Sequence, residues 1–275
     1  MKRYILLYLI FIFVISGCTS DDESTQQQEI LNNQLKQLQE SYTSIEQKNK
    51  LLNEEIKKLK SVNSDLSDEL IKLKKIELER ISTLKEETGL VNIKDIDDSI
   101  VVELRYATEN NFVDKQVYKV EMPLLQKDTA LKLKKANDLV KKSGYRIKLW
   151  DGYRPFDVQK IFWELTPDKE YLADPSQGSN HNRGTAVDIT LVDEALNEVE
   201  MPTGFDEFSN KAWRSYQNNS QEAQKNMELL TDAMVKSGFT TINIEWWHFN
   251  DKSAKSYPVL NIPLTDFKSK INVNY

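Results

Sequence analysis

The chain has 275 residues, 39% hydrophobic and 29% charged, which is enough apolar material for one ordinary domain beside a generous polar remainder. A formal net charge of −6 argues against a nucleic-acid binder, because no basic face is implied. One cysteine excludes an internal disulfide framework, and two histidines, His181 and His248, exclude a three-histidine zinc site.

At the N-terminus Lys2 and Arg3 precede an apolar run from Tyr4 to Ile15, followed by small residues and Cys18. This is the pattern of a secretory signal; about a dozen apolar residues falls short of the ~20 a bilayer span needs. The segment Ile15-Ser16-Gly17-Cys18 resembles the lipobox of bacterial lipoproteins, in which the cysteine is lipidated and becomes the new N-terminus. Residues 1–18 are therefore expected to be a lipoprotein signal. Lipidated Cys18 would anchor the protein to a bacterial cell membrane, outside the cytoplasm, with the leaflet left open. Asp21, Asp22 and Glu23 follow and resemble the acidic export tags of some Gram-negative lipoproteins; residues 19–29 read as a short linker.

Residues 24 to 88 contain neither proline nor glycine, which predicts an uninterrupted helix. Leu31, Leu38, Ile45, Leu52, Leu59, Leu66 and Leu73 recur every seven residues, and Leu35, Tyr42, Asn49, Ile56, Asn63, Leu70 and Glu77 follow four residues behind them. The first series takes d and the second takes a of a coiled coil over 30–88. Leucine at d with Asn49 and Asn63 at a favours a parallel homodimer, since each buried asparagine pairs with its twin only in register. A trimer stays open because Ile and Leu mix across a and d. At 1.5 Å per residue the stalk would extend roughly 90 Å. The pattern fails at Glu77, and Gly89 supplies a helix stop, so the next domain is expected over 90–275.

Beyond residue 90 a strand is expected over Ile100–Leu104 and a helix over Asp128–Ser143, with Asp128 as N-cap and Gly144 past its end. Tyr145–Trp150 reads as a strand, Pro155 opens a second helix, and Ala186–Leu191 reads as a strand. Ser220–Ser237 reads as a helix closed by Gly238, followed by a strand over Phe239–Trp247. The order predicts an α+β fold, with helices on a mostly antiparallel sheet.

Both histidines have acidic company: His181 precedes Asp188 across a bend containing Gly184, and Glu245 precedes His248. A hydrolytic zinc takes three protein ligands, so with two histidines in the sequence the third must be a carboxylate. Asp188 is the best placed, which frees Glu245 to act as a base. Positions i and i+3 of a regular strand face opposite ways, so Glu245 and His248 converge only if the strand bends or ends there.

These residues carry a resemblance. His181, Asp188, Glu245 and His248, preceded by Asp151-Gly152-Tyr153-Arg154-Pro155, resemble the D-alanyl-D-alanine dipeptidases of the VanX family of zinc peptidases. Leu104-Arg105-Tyr106-Ala107-Thr108 through Phe112, and Phe205-Asp206-Glu207-Phe208, resemble further segments of that family; Met201-Pro202-Thr203-Gly204 departs from its Met-Gly-Thr form. The similarity covers roughly residues 91–262 and none of the stalk. It implies one Zn2+ per chain on His181, Asp188 and His248, with Glu245 as general base and Arg154 donating to the developing oxyanion. It further implies Ser179 for the substrate carboxylate, Asp206 for its ammonium, and Tyr106 lining the same end.

The function so implied is zinc-dependent hydrolysis of D-alanyl-D-alanine in cell-wall peptide turnover. Related zinc peptidases on the same scaffold trim peptidoglycan stem peptides as D,D- or L,D-carboxypeptidases, and that is the alternative. A non-catalytic zinc-fold module binding wall or partner is the second, against which Glu245 and Arg154 argue, because a structural zinc needs no free base beside it.

Overall fold

A computed structural model of the protein covers residues 21–166, 169 and 174–271. The expected signal, lipobox and Cys18 lie outside the described residues. Two compact units make up the fold, Met1–Ile71 and Lys72–Tyr275.

The first unit is the N-terminal part of a single helix, α1 (Asp21–Thr88), which is already helical where a linker was expected up to residue 29. Both heptad series are exposed over this unit: Leu31 is 65% exposed, Leu38 67% and Leu59 60%. Isolated helical turns do not bury apolar residues on themselves, so the stripe lacks cover from the described residues of the unit. Among the described residues no helix is long and apolar enough to cross a membrane.

The second unit begins inside α1, earlier than the boundary near residue 90 expected from the helix stop. Leu84 packs against the core of this unit. Glu77, the residue that breaks the heptad pattern, is 8% exposed. It accepts from the Lys270 amide at 2.9 Å and from the Arg80 guanidinium at 2.9 and 3.0 Å. The end of α1 thus exchanges a zipper position for a polar anchor in this fold. Gly89, at φ 71°, closes the helix, with its N–H bonded to the Lys85 carbonyl at 2.9 Å.

After α1 come β1 (Leu90–Asn92), α2 (Ile93–Ile96), β2 (Val101–Val102), β3 (Leu124–Gln126), α3 (Lys127–Val140), β4 (Arg146–Asp151) and α4 (Phe156–Leu165). They are followed by β5 (Ala186–Val192), α5 (Gln221–Ser237), β6 (Phe239–Thr241) and β7 (His248–Asp251). β1 and β3 form a two-stranded antiparallel ribbon. The other strands form a five-stranded sheet in the order β2-β4-β5-β7-β6, antiparallel except for β2 with β4, so the fold is α+β as expected.

Helical periodicity explains the layer packed on this sheet. α3 buries Ala130, Leu133, Ala136, Asn137 and Val140, and α5 buries Ala223, Met227, Leu230, Ala233 and Met234; the two stripes pack on one another. All seven residues of β5 are buried, Asp188 and Thr190 among them, as its central place in the sheet requires. Fully burying each Leu or Ile of this core contributes about 2 kcal/mol.

Three expectations need correction. The first helix starts at Lys127 with Gln126 at its N-cap, so Asp128 lies in the first turn, where its carboxylate accepts from the Tyr257 hydroxyl at 2.9 Å. Of the strand expected over Ile100–Leu104 only Val101–Val102 is regular strand, with the Glu103 N–H still bonded to the Leu149 carbonyl at 3.0 Å. Of the strand expected over Phe239–Trp247 only Phe239–Thr241 (β6) forms, and the backbone then reverses through residues 242–247 into the antiparallel β7. Ser220 caps α5 without belonging to it, its Oγ accepting from the Ala223 N–H at 3.0 Å, and Gly238 ends the helix at φ 104° as expected.

Candidate metal centre

His181 stands at the start of a short turn, His181–Arg183, ended by Gly184 at φ 69°. A Cβ on Gly184 would come within 2.6 Å of Leu90 Cδ2, so the turn needs glycine for space as well as for backbone conformation. The turn feeds β5, where Asp188 pairs directly across the ladder with His248 of β7. Cross-strand neighbours meet on one face, so the sheet register itself brings a carboxylate and an imidazole together.

The three candidate ligand atoms lie within 4.8 Å of one another. His248 Nδ1 is 2.9 Å from Asp188 Oδ1 and 3.2 Å from His181 Nε2, and His181 Nε2 is 3.3 Å from Asp188 Oδ2. His181 Nδ1 sits 2.8 Å from the Gly152 carbonyl, which places its hydrogen there and turns the Nε2 lone pair toward the trio. Burial opposes charge on Asp188, but the two imidazoles outweigh it and hold this carboxyl well below the usual range. Two imidazole nitrogens and a carboxylate oxygen, converging and almost fully buried, are the donor set of a divalent transition ion with a position left open.

The reversal after β6 answers the geometric difficulty with Glu245. Glu245 belongs to the turn and not to a strand, and its Oε2 lies 3.9 Å from His248 Nδ1. Burial pushes its carboxyl up to about 7, partly offset by His248. Arg214 holds this turn: its Nε donates to the Ile242 carbonyl at 3.0 Å and its Nη2 to the Trp246 and His248 carbonyls. Trp246 and Trp247 are buried, and Trp246 Nε1 donates to Thr203 Oγ1 at 2.9 Å.

Arg154 follows β4 and is 6% exposed. Its Nε and Nη2 donate to Asp151 Oδ2 at 3.1 and 2.7 Å, its Nη1 donates to Gln159 Oε1 at 2.9 Å, and Nη2 lies 4.0 Å from Asp188 Oδ2. Tyr106 and Phe162 flank the guanidinium at 5.2 and 4.9 Å. Burial works against its charge, but Asp151 outweighs that and keeps Arg154 cationic.

Tyr106 donates to Asp206 Oδ1 at 3.2 Å. Asp206 has φ 58°, and its other oxygen, Oδ2, is buried with no hydrogen-bond partner. Burial therefore raises its carboxyl well above the usual range, with Arg154, the Tyr106 hydroxyl and the Phe112 amide offsetting this only in part. Ser179 exchanges hydrogen bonds with Asn182: its N–H donates to Asn182 Oδ1 at 2.8 Å, and its Oγ accepts from the Asn182 N–H at 3.2 Å.

All of Tyr106, Arg154, Ser179, His181, Asp188, Asp206, Glu245 and His248 line one cavity of about 360 Å³. Phe112, Phe208, Ile242, Ile244 and Trp247 form its apolar walls. Sequence reasoning gave no role to Asp151, Gln159 or Arg214. The first was visible beside Arg154 in the quoted motif; the other two reach their partners only through the fold.

The family model described as D-ala-D-ala dipeptidase, of the Peptidase_M15 group, matches residues 86–270. A D-alanyl-D-alanine dipeptidase of Escherichia coli (strain K12) is 38% identical over 177 residues, covering 64% of this chain and 92% of the relative. One from Enterococcus faecium is 30% identical over 184 residues, covering 59% of this chain and 91% of the relative. Among solved structures, that of the LdcB LD-carboxypeptidase aligns with a TM-score of 0.35 at 20% identity, covering 61% of this chain and 71% of that one.

Proposed function

The chain belongs to the D-alanyl-D-alanine dipeptidase family of metallopeptidases, and from that premise we propose that it cleaves the free dipeptide D-alanyl-D-alanine with one zinc ion on His181, Asp188 and His248. The chemistry such an ion supplies when bound is Lewis acidity, toward a water and toward a carbonyl oxygen. Glu245, beside the trio and raised toward neutrality by burial, takes a proton from the attacking water and returns it to the leaving amine. Arg154, fixed by Asp151 and Gln159, donates to the peptide oxygen as negative charge develops there.

The observation that carries the free dipeptide as substrate is Asp206. A buried carboxylate oxygen without a donor is costly, and a substrate ammonium would supply both the missing hydrogen bond and the counter-charge. Tyr106 orients that carboxylate, and Ser179 serves the substrate's own carboxylate at the other end. The apolar walls suit two methyl side chains. The test offers three substrates to the zinc-loaded protein: D-alanyl-D-alanine, its N-acetylated form and a stem pentapeptide. The free dipeptide should be cleaved far faster than either; faster cleavage of the pentapeptide would overturn the assignment in favour of a carboxypeptidase.

The proposal extends to placement. The exposed heptad stripe with Asn49 and Asn63 supports a parallel homodimer, and the lipobox at Cys18 supports a lipid anchor outside the cytoplasm, where wall peptides are turned over. Labelling with a radioactive fatty acid that is lost in C18A checks the anchor.

A further inference from the structure

Asn250 stands two residues beyond His248 on β7, and the strand's alternation puts both on the same face. Its Oδ1 lies 2.9 Å from His248 Nε2 and accepts from Asn180 Nδ2 at 2.8 Å. Asn180 is itself anchored, its backbone carbonyl accepting from the Thr185 N–H at 3.0 Å and the Thr185 hydroxyl at 3.1 Å. With Asn180 Nδ2 aimed at this Oδ1, turning Asn250 over by itself would bring two NH2 groups face to face. The ring nitrogen that meets Oδ1 must then carry a hydrogen.

We infer that Asn250 and Asn180 are positioning residues that hold the His248 hydrogen on Nε2 and so present the Nδ1 lone pair to the metal. A neutral imidazole that gives Nδ1 to a cation has to keep its hydrogen on Nε2, and Nδ1 is the nitrogen that faces Asp188 and His181. The inference rests on the metal reading proposed above.

The experiment uses the full-length protein and two readouts: zinc affinity by competition with a chromophoric chelator, and imidazole N–H signals of the zinc-loaded, 15N-labelled protein. With two histidines in the sequence the assignment is direct, and wild type should show the His248 hydrogen on Nε2. N250L removes the acceptor and should weaken zinc binding by about 10–100-fold. N250D keeps an acceptor in place and should hold zinc at least as tightly as wild type. N180D turns the Asn250 amide over, aims its nitrogen at His248 Nε2, and should weaken zinc as N250L does. Because N180D barely changes side-chain size, it carries the test if N250L does not fold. Wild-type affinity in both N250L and N180D would overturn the inference, as would N250D binding as weakly as N250L. A His248 hydrogen found on Nδ1 in the loaded wild type would do the same. Absence of zinc binding by wild type would instead bring down the metal reading itself.

Discussion

Arg154 is gripped at both ends of its guanidinium, by Asp151 on one side and Gln159 on the other, while Tyr106 and Phe162 cover its faces. A lysine can reproduce the charge but not the planar fork, so R154K should lose about 10²–10³-fold in kcat, measured on the free dipeptide. Glu245 presents the complementary case, a carboxylate beside the trio that the metal reading does not spend as a ligand. E245Q should therefore lower kcat by about 10²–10⁴-fold while binding zinc as wild type does; lost zinc affinity would show that Glu245 is a ligand and not the base.

The turn between β6 and β7 is the element on which the site depends most. Its carbonyls at Ile242 and Trp246 have no ladder to join, and the Arg214 guanidinium supplies their donors. R214L would leave them unpaired in a buried setting and should cost about 3 kcal/mol of stability, read from denaturant unfolding, and should weaken zinc binding through displacement of His248. The end of α1 behaves similarly. Hydrogen bonds from Arg80 and then Lys270 hold the Glu77 carboxyl at about 2, below its ordinary 4.5. A folded-state value below the unfolded one means this stabilisation is present above about pH 4.5 and is lost as pH falls toward about 2. E77Q should flatten that part of the melting-temperature profile. A protein shortened to begin at Leu90 would also lose Leu84 from the core, about 1–2 kcal/mol, and should melt below one that begins at Lys72.

At the scale of the whole molecule, one unit contains the chemistry and the other a stripe of apolar residues that the described residues leave exposed. Sedimentation equilibrium of the full-length protein is expected to give a dimer. Exchanging Asn49 and Asn63 together for leucine should tighten association yet mix oligomeric states, because the polar pair at a selects register and number of strands at a cost in stability. A monomer at micromolar concentration would remove the coiled-coil reading and leave the catalytic unit untouched.

Much of this was legible in the sequence itself. The helix 24–88 and the stops at Gly89, Gly144 and Gly238 follow from local rules, in which a residue's neighbours in sequence are its neighbours in space. His181, Asp188, Glu245 and His248 could be named because a hydrolytic metal needs such groups and the sequence has only two histidines to offer, whereas Tyr106, Arg154, Ser179 and Asp206 were named from the resemblance to the dipeptidase family. Local rules failed where distant segments decide the outcome. Phe239 to Trp247 has the composition of one strand, yet a half-buried arginine from outside that segment, Arg214, captures its carbonyls and the backbone reverses. Glu77 breaks a heptad for a reason found at Lys270, and Asn250 meets Asn180 only because β5 and β7 pair in one register. Composition and spacing thus determined which groups are available for the reaction. Only the tertiary structure decided which nitrogen of His248 faces Asp188 and His181 and which carboxylate oxygen, Asp206 Oδ2, is left buried without a partner, because hydrogen-bond satisfaction is settled by contacts between residues far apart in the sequence.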